Sequence, residues 1–310
     1  MRLLWLAALP CLYWGQGVDT APRLRAAGIE RVCVPPDAVP AWTGAGFSAS
    51  AVSEADRAQR ERLPAPGTRP RANRASATRS PWIDASGWRF RRRPEGRYVY
   101  PAPAGKVALA AAEAWAYGAD AAVEADPGDL EPLGTMQAFL ATLPDSALPD
   151  VADIGIVDDG SAMMGELMNL MTRRNLLYRI VKERSPELRV NVELGTADYP
   201  ALAAVDPSAM ALKIRRQLSD DERSLRLFGS EAVIGRLTGD GRRVRLHLLN
   251  YGGREIEGLR VRLRGSYPAG RVLVAGVGPL EVEEHVVGEG FTELTVPRLG
   301  PYGVLDLTRE

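Results

Sequence analysis

The hydrophobic pattern up to about residue 224 alternates short buried strands with amphipathic helices. Leu12–Trp14 is typical of a strand. Asp19 or Thr20 can then cap a helix that has Pro22 in its first turn, and Arg31–Val34 forms the next apolar run. A strand, a helix and a strand at this spacing predict parallel βα units.

The same alternation continues downstream of residue 100. The expected elements are a helix over 106–117, a strand at 121–123, a helix at 134–143, a strand at 153–157, a helix at 164–183, a strand at 188–192 and a helix at 207–218. Methionine and leucine recur at helical spacing after Met163, which predicts core packing. Asp206 followed by Pro207 is a helix-start signal.

Residues 57–97 interrupt this pattern with twelve arginines and five prolines. The charge could bind an anion or a nucleic acid, but we expect an irregular, solvated excursion that joins two parts of a sheet. Its aromatic end is not typical of disorder. There Trp88–Phe90 and Arg97–Tyr100 alternate, which predicts two half-buried strands.

From about Leu225 the apolar period changes to two, with glycine and proline turns between short runs. The predicted strands are 244–249, 259–263, 271–274, 281–283, 292–296 and 304–307. Several short alternating strands indicate an antiparallel β-sandwich. The fold class is therefore α/β, with incomplete or TIM-barrel-like parallel βα units over 12–224 and a sub-boundary near 150, followed by a β-sandwich over 225–310.

The first seventeen residues have two interpretations. Arg2 before the apolar run Leu3–Pro10, with small residues at Gly15–Gly17, favours a signal peptide over 1–17 and a secreted or periplasmic protein. Alternatively, Leu12–Gly15 is the first buried strand of the domain. No other stretch approaches the roughly 18 apolar residues that a membrane span needs, so no integral membrane segment is expected after processing.

Composition excludes several classes of function. The 39 basic and 39 acidic residues cancel, so bulk charge does not favour a nucleic acid partner. With only His247 and His285, a histidine triad or multi-histidine metal site is not expected, and neither is a cofactor. The two cysteines, Cys11 and Cys33, could form one disulfide but no zinc site. The oligomeric state stays open.

Acidic residues follow two of the predicted strands. Glu124 and Asp126 come after the strand at 121–123, at the end where α/β barrels carry active sites, and they are the candidate catalytic pair. Residues two apart are close neighbours, however, whereas the carboxyl groups of a glycosidase usually come from different strands. Capping of the next helix is the competing role.

Asp158, Asp159 and Trp14 are candidate substrate-binding residues. The two aspartates sit between a strand and a helix, where they could bind a sugar hydroxyl or a metal, or simply favour the helix N-terminus. Trp14 precedes Gly15-Gln16-Gly17 at a strand end, where an indole could stack on a sugar ring. Core packing explains a tryptophan equally well.

Three segments resemble bacterial glycoside hydrolase-like proteins of the β-galactosidase type. Ala111–Asp120 resembles the helix that leads into a strand late in their barrels, and Asp153–Val181 resembles the opening strand and helix of their amidotransferase-like α/β domain. Their closing sandwich is similar to the runs Val244–Tyr251, Thr295–Pro297 and Tyr302–Val304. The barrel region is too short for eight βα units, and no Asn-Glu strand end is present. The resemblance implies a shortened, non-hydrolytic relative that binds an oligo- or polysaccharide, or is at most a weak glycoside hydrolase.

The competing hypothesis is a non-enzymatic structural or interaction protein on a degenerate hydrolase scaffold, with the sandwich and the arginine-rich excursion as contact surfaces. It predicts an exposed apolar patch rather than a pocket.

Overall fold

The computed structural model describes residues 9–70, 81–144, 148–200 and 206–309. Residues 1–8 of the expected signal peptide and 71–80 of the arginine-rich excursion lie outside the described residues. The chain forms two compact units, the first from 1–67 and 93–147 and the second from 68–92 and 148–310. The α/β part predicted over 12–224 is divided between them.

The strands, in chain order, are β1 Cys11–Tyr13, β2 Arg31–Val34, β3 Ser48–Ala51, β4 Glu61–Arg62, β5 Gly67–Arg69, β6 Trp82–Asp84, β7 Arg97–Ala102, β8 Asp120–Ala125, β9 Ile154–Val157, β10 Tyr178–Val181, β11 Val190–Val192, β12 Leu225–Phe228, β13 Val233–Gly239, β14 Arg243–Asn250, β15 Ile256–Arg264, β16 Ala269–Val274, β17 Gly278–Leu280, β18 Glu283–Gly288, β19 Phe291–Leu299 and β20 Tyr302–Thr308. The helices are α1 Ala21–Ala26, α2 Val39–Gly44, α3 Glu54–Gln59, α4 Gly87–Arg92, α5 Val107–Ala116, α6 Leu130–Thr142, α7 Ala162–Arg173 and α8 Pro207–Arg216.

The first unit is built on a six-stranded parallel sheet in the order β3-β2-β1-β8-β7-β4. Here β8 pairs with β1, as the last and first strands of a barrel do. By contrast β3 and β4, consecutive in the chain, occupy opposite edges. The sheet thus has the strand order of a barrel from which the middle strands are missing, which confirms the predicted α/β class.

One face of this sheet carries a disulfide between Cys11 and Cys33, whose Cα atoms are 5.5 Å apart. It joins β1 to its neighbour β2 and packs with Val52 and Ala122. The pairing that the sequence left open is therefore formed in the structure. Since β1 occupies the middle of the sheet, a signal cleavage among Gly15–Gly17 would remove a central strand.

Helix α3 crosses this same face on its way from one edge of the sheet to the other. Its Arg57 pairs with Glu124 near the end of β8, and Arg60 pairs with Asp120 at the start of that strand. The helix is fixed at its beginning by Ser53, whose Oγ accepts a hydrogen bond from the Asp56 amide at 3.0 Å. The helix thus brings arginine side chains onto the face of the sheet that carries the disulfide. We call this face the inner face of the sheet.

The second unit begins with a three-stranded parallel sheet, β10-β9-β11, covered by α7 and α8. The predicted methionine and leucine stripe is confirmed as core, since Met164, Met168 and Met171 are fully buried. The predicted helix over 164–183 is wrong beyond Arg173. Asn175 there has a φ of 52°, a left-handed conformation that ends helices, and β10 follows.

The predicted strand at Trp88–Phe90 is also wrong, because these residues lie in helix α4. Phe90 is buried, and its amide donates to the Ser86 carbonyl at 3.2 Å, a contact between residues four apart that is typical of a helix. A single alternation of polar and apolar residues over three positions fits a helical turn as well as a strand. The neighbouring prediction is confirmed: Arg97–Tyr100 begins strand β7.

Residues 225–310 contain the predicted antiparallel sandwich. One sheet has the order β12-β15-β19-β18 and the other β13-β14-β20-β16-β17. Their inward aliphatic side chains form one core cluster that includes Leu246, Val261 and Leu305. Within the described ranges, no helix combines the length and hydropathy that crossing a membrane requires.

Two segments tie the parallel sheet of the second unit to the sandwich by hydrogen bonds to the backbone of β13. The Val151 amide donates to the Leu237 carbonyl at 2.9 Å, so this segment extends along β13. The side-chain amide of Asn175 makes two hydrogen bonds to the backbone of the same strand. Its Nδ2 donates to the Val233 carbonyl at 2.9 Å, and its Oδ1 accepts from the Gly235 amide at 2.7 Å. The side chain thus imitates a strand partner.

A first prediction tests this junction by comparing two substitutions. Asn175→Gly keeps the left-handed backbone and removes both hydrogen bonds, so we expect a loss of about 2 kcal/mol in the free energy of unfolding. Asn175→Ala adds about 1 kcal/mol of backbone strain. Urea unfolding at equilibrium measures both, and wild-type stability in either variant would contradict the assignment.

A second prediction concerns His247, which is buried in the sandwich with Nδ1 2.8 Å from the Tyr302 hydroxyl. Burial, with the nearby Arg236 and Arg245 guanidinium groups, lowers the pKa of His247 well below its ordinary value. The folded state therefore keeps this imidazole neutral where the unfolded chain takes up a proton. The lowered pKa costs no stability well above pH 6.5, the ordinary value of an imidazole, and it lowers the free energy of unfolding as the pH falls through that value.

We expect the free energy of unfolding to drop by about 2 kcal/mol between pH 7.5 and pH 5 from this group. His247→Gln should be less stable at neutral pH and should lose most of that slope, whereas the control His285→Gln should keep it. Denaturant titrations at several pH values measure the slope, and an unchanged slope in His247→Gln would refute the explanation.

Candidate functional site

A cluster of four charged side chains and one tyrosine lies at the carboxyl end of the parallel sheet in the first unit. We call it the Arg57 cluster; its members are Tyr13, Glu54, Arg57, Arg62 and Glu124. Strand alternation places Tyr13 and Glu124 on the inner face of β1 and β8, the face that carries the disulfide. Glu54 opens α3, directly after β3.

Arg57 holds two carboxylates that come from different strand ends. Its Nη1 donates to Glu124 Oε1 and its Nη2 to Glu54 Oε1, each at 2.8 Å. Arg62 Nη1 lies 3.4 Å from the second oxygen of Glu124. The guanidinium carbon of Arg57 is 4.9 Å from the centre of the Tyr13 ring, a cation–π distance.

The electrostatics of the cluster fix Arg57 as a cation. Its hydrogen bond to Glu54 raises the pKa of the guanidinium, with Glu124 and Tyr13 adding to the effect. Burial raises the pKa of the Tyr13 hydroxyl, so this group stays protonated near neutral pH. The Tyr13 and Glu54 side chains are in contact across a long 3.5 Å O–H···O separation. Hydroxyl, carboxylates and guanidinium thus present both donors and acceptors.

Much of the cluster is open to solvent. The side chain of Glu54 is 71% exposed and that of Arg57 is 32% exposed, whereas Glu124 is 20% exposed. A ligand can therefore reach Glu54 and one side of Arg57 without unfolding the sheet. Exposure at this level also keeps the ion pairs weak contributors to stability.

The structure separates the two predicted catalytic residues. Glu124 lies within the Arg57 cluster, but Asp126 is exposed and accepts a hydrogen bond from the Gly128 amide at 2.8 Å. Asp126 therefore caps the short turn before α6, which is the competing role anticipated from the sequence. The second carboxylate near Glu124 comes from Glu54, on a different strand end.

Trp14 lies in the core of the first unit. Its side chain is 4% exposed, and its indole N–H donates to the Thr20 hydroxyl at 2.8 Å. Stacking on a sugar needs an open ring face, and the buried indole offers none in this structure.

Asp158 and Asp159 belong to the second unit. Arg92 binds Asp158 through two hydrogen bonds of 2.8 Å, a fork-like pairing that occupies both carboxylate oxygens. Asp159 accepts from the Ser161 amide at 2.9 Å, and Ser161 itself caps α7 by accepting from the Met164 amide. The aspartates thus shape the turn before α7. The predicted site residues are distributed over two units rather than gathered in one.

Sequence reasoning missed Glu54, Arg57 and Arg62. Ser53 through Asp56 gives a recognisable helix start, a serine followed three residues later by an acid, directly after a short strand. That signal could have located Glu54 at a strand end. The two arginines belong to the excursion that we expected to be solvated, and no local pattern distinguishes them from its other arginines.

No family model matches the chain, and no curated protein sequence is similar to it. Solved structures are similar in fold. Alpha-L-fucosidase isoenzyme 2 from Paenibacillus thiaminolyticus superimposes with a TM-score of 0.51 at 9% identity, over 72% of this chain and 62% of that one. A rhamnosidase from Novosphingobium sp. PP1Y aligns with a TM-score of 0.25 at 13% identity, over 85% of this chain and 20% of that one.

The fucosidase similarity shows that this chain has a glycoside hydrolase-like fold, an α/β domain followed by a β-sandwich. At 9% identity the likeness concerns the fold alone. This chain spans less than two thirds of the fucosidase's length. The expected resemblance to glycoside hydrolases is therefore confirmed at the level of the fold.

Proposed function

We propose that the protein binds a carbohydrate at the Arg57 cluster and that it hydrolyses glycosidic bonds weakly or not at all. The observation that carries this proposal is the single guanidinium held between Glu54 and Glu124 at the carboxyl end of the parallel strands. Active sites of barrel enzymes lie at this end, and sugar hydroxyls need both donors and acceptors, which the cluster supplies.

The fold similarity to glycoside hydrolases supports a carbohydrate as ligand by analogy. The β-galactosidase type is part of the same proposal and depends on the sequence resemblance of the sandwich and of the strand and helix at 153–181. Within this proposal Glu124, near the carboxyl end of β8, is the candidate for the place of a hydrolase carboxylate.

Hydrolysis of a glycoside needs one carboxyl group that donates a proton to the leaving oxygen and another that attacks or activates water. In this cluster Arg57 lies between the two carboxylates, and Arg62 faces the remaining oxygen of Glu124. A glycosidic oxygen would have to displace a guanidinium from Glu124 to reach it. The arrangement therefore favours binding over cleavage.

A third prediction tests the site with a panel of oligosaccharides. A sugar at 100 times its dissociation constant should stabilise the protein by about 2.7 kcal/mol, seen as a shift in thermal unfolding. Arg57→Met and Glu124→Gln should abolish the shift while changing stability by less than about 1 kcal/mol, because these ion pairs are partly exposed.

Glu131→Gln, an exposed glutamate on α6, is the matched control and should keep the shift. A shift that survives in both cluster variants would place the sugar elsewhere. No shift with any sugar would reject the proposal and favour an interaction protein. Rapid release of a chromogenic leaving group from an aryl glycoside would refute weak hydrolysis.

We also propose that the protein is exported to an oxidising compartment. The Cys11–Cys33 disulfide supports this, because such bonds persist mainly outside the cytosol. Since Cys11 belongs to β1, a leader would have to end before it. A fourth prediction follows: the mature protein from periplasm or medium should begin before Cys11, as measured by N-terminal mass spectrometry. A mature chain that begins after Cys11, or a cytosolic pool with free thiols, would contradict it.

A further inference from the structure

A cavity of about 370 Å³ opens on the inner face of the parallel sheet in the first unit. It reaches from the amino-terminal ends of β1, β2 and β8 to Ser50 and Val52 at β3. The disulfide forms part of its wall. None of its lining residues belongs to the Arg57 cluster, so the cavity is a separate site.

Two arginines line this cavity, and their charges are balanced differently. Arg60 is 7% exposed and pairs with Asp56 at 2.9 Å and Asp120 at 3.0 Å, so its charge is neutralised by two carboxylates. Arg31 makes no ion pair with any other described residue of the chain. Its Nε is buried and has no hydrogen-bond partner within the described ranges.

A buried donor on a cation is costly when nothing accepts its hydrogen bond. The enclosed Nε cannot be reached from the cavity, whereas the two Nη groups of Arg31 are not enclosed, so a ligand that brings a negatively charged acceptor to them balances the charge of this guanidinium. A carboxylate suits a guanidinium best, since two oxygens match its fork of N–H groups.

The rest of the lining limits the ligand's size and character. The volume lies at the small end of the range for ligand pockets, which suits a molecule of about monosaccharide size. Leu9, Val52 and the disulfide present apolar surface, while Ser50 and Asp120 offer hydrogen bonds. We propose that the cavity binds a small organic carboxylate, with its carboxyl group on Arg31 and its body against the disulfide side of the wall.

Isothermal titration calorimetry of the full chain tests this with D-glucuronate, benzoate and inorganic phosphate. D-glucose is the neutral counterpart of glucuronate. We expect at least one carboxylate to bind with a dissociation constant below about 10 mM, and glucose not to bind in this range. Arg31→Met, which keeps the aliphatic stem, should weaken binding at least tenfold, roughly the loss of one charge-assisted contact.

Arg93→Met, an exposed arginine of the same unit, is the matched control and should bind like the wild type. If Arg31→Met does not fold, Ser50→Leu provides a second variant that fills the cavity from β3 and should block binding. The proposal is overturned if no carboxylate binds, if phosphate alone binds, if glucose binds as tightly as glucuronate, or if the wild-type affinity survives in Arg31→Met or Ser50→Leu. Binding that depends on Arg31 but not on Arg57 separates this cavity from the proposed sugar site.

Discussion

The pairing of non-strand segments with β13 is the contact on which the second unit depends. Val151 extends the sandwich sheet by backbone hydrogen bonds, and the Asn175 amide bonds to both a carbonyl and an amide of the same strand. Without these partners, β13 would leave a row of unsatisfied groups at a sheet edge. The junction also carries Leu177 into the core of the sandwich, so packing and hydrogen bonding reinforce each other.

Buried polar groups strengthen the same junction. Asp153, at the start of β9, accepts hydrogen bonds from both the hydroxyl and the amide of Ser224 just before β12. Burial raises the pKa of Asp153, and the bonds from Ser224 partly offset that cost. Arg223 donates to the carbonyls of Arg174 and Asn175, which closes the end of α7. A small parallel sheet and a sandwich are thereby held as one unit.

In the first unit the missing barrel strands shape the candidate site. With no strands between β3 and β4, the chain must cross from one edge of the sheet to the other, and α3 makes this crossing over the inner face. Its Arg57 and Arg60 pair with opposite ends of β8. The strand end that holds an accessible carboxylate in a barrel enzyme therefore holds one bound by guanidinium groups, which is why binding without cleavage is the function we propose.

The sequence by itself determined the elements that local chemistry controls. Period-two alternation predicted the sandwich, Asp206-Pro207 predicted the start of α8, and the methionine stripe predicted core, because each depends on nearest neighbours. Local pattern failed at Trp88–Phe90 and beyond Arg173, where a few residues fit two conformations and tertiary packing chose between them.

Only the tertiary structure decided which charged residues meet. Glu54 and Arg57 are neighbours on one turn of α3, but Glu124 lies 67 residues from Arg57, and no spacing rule connects it to them. Likewise, Arg31 is one arginine among many until the fold buries its Nε at a cavity wall without a partner among the described residues. Local pattern encodes helices and strands, whereas contacts between distant residues depend on how the sheet is ordered, and the sheet order becomes visible only when the chain has folded.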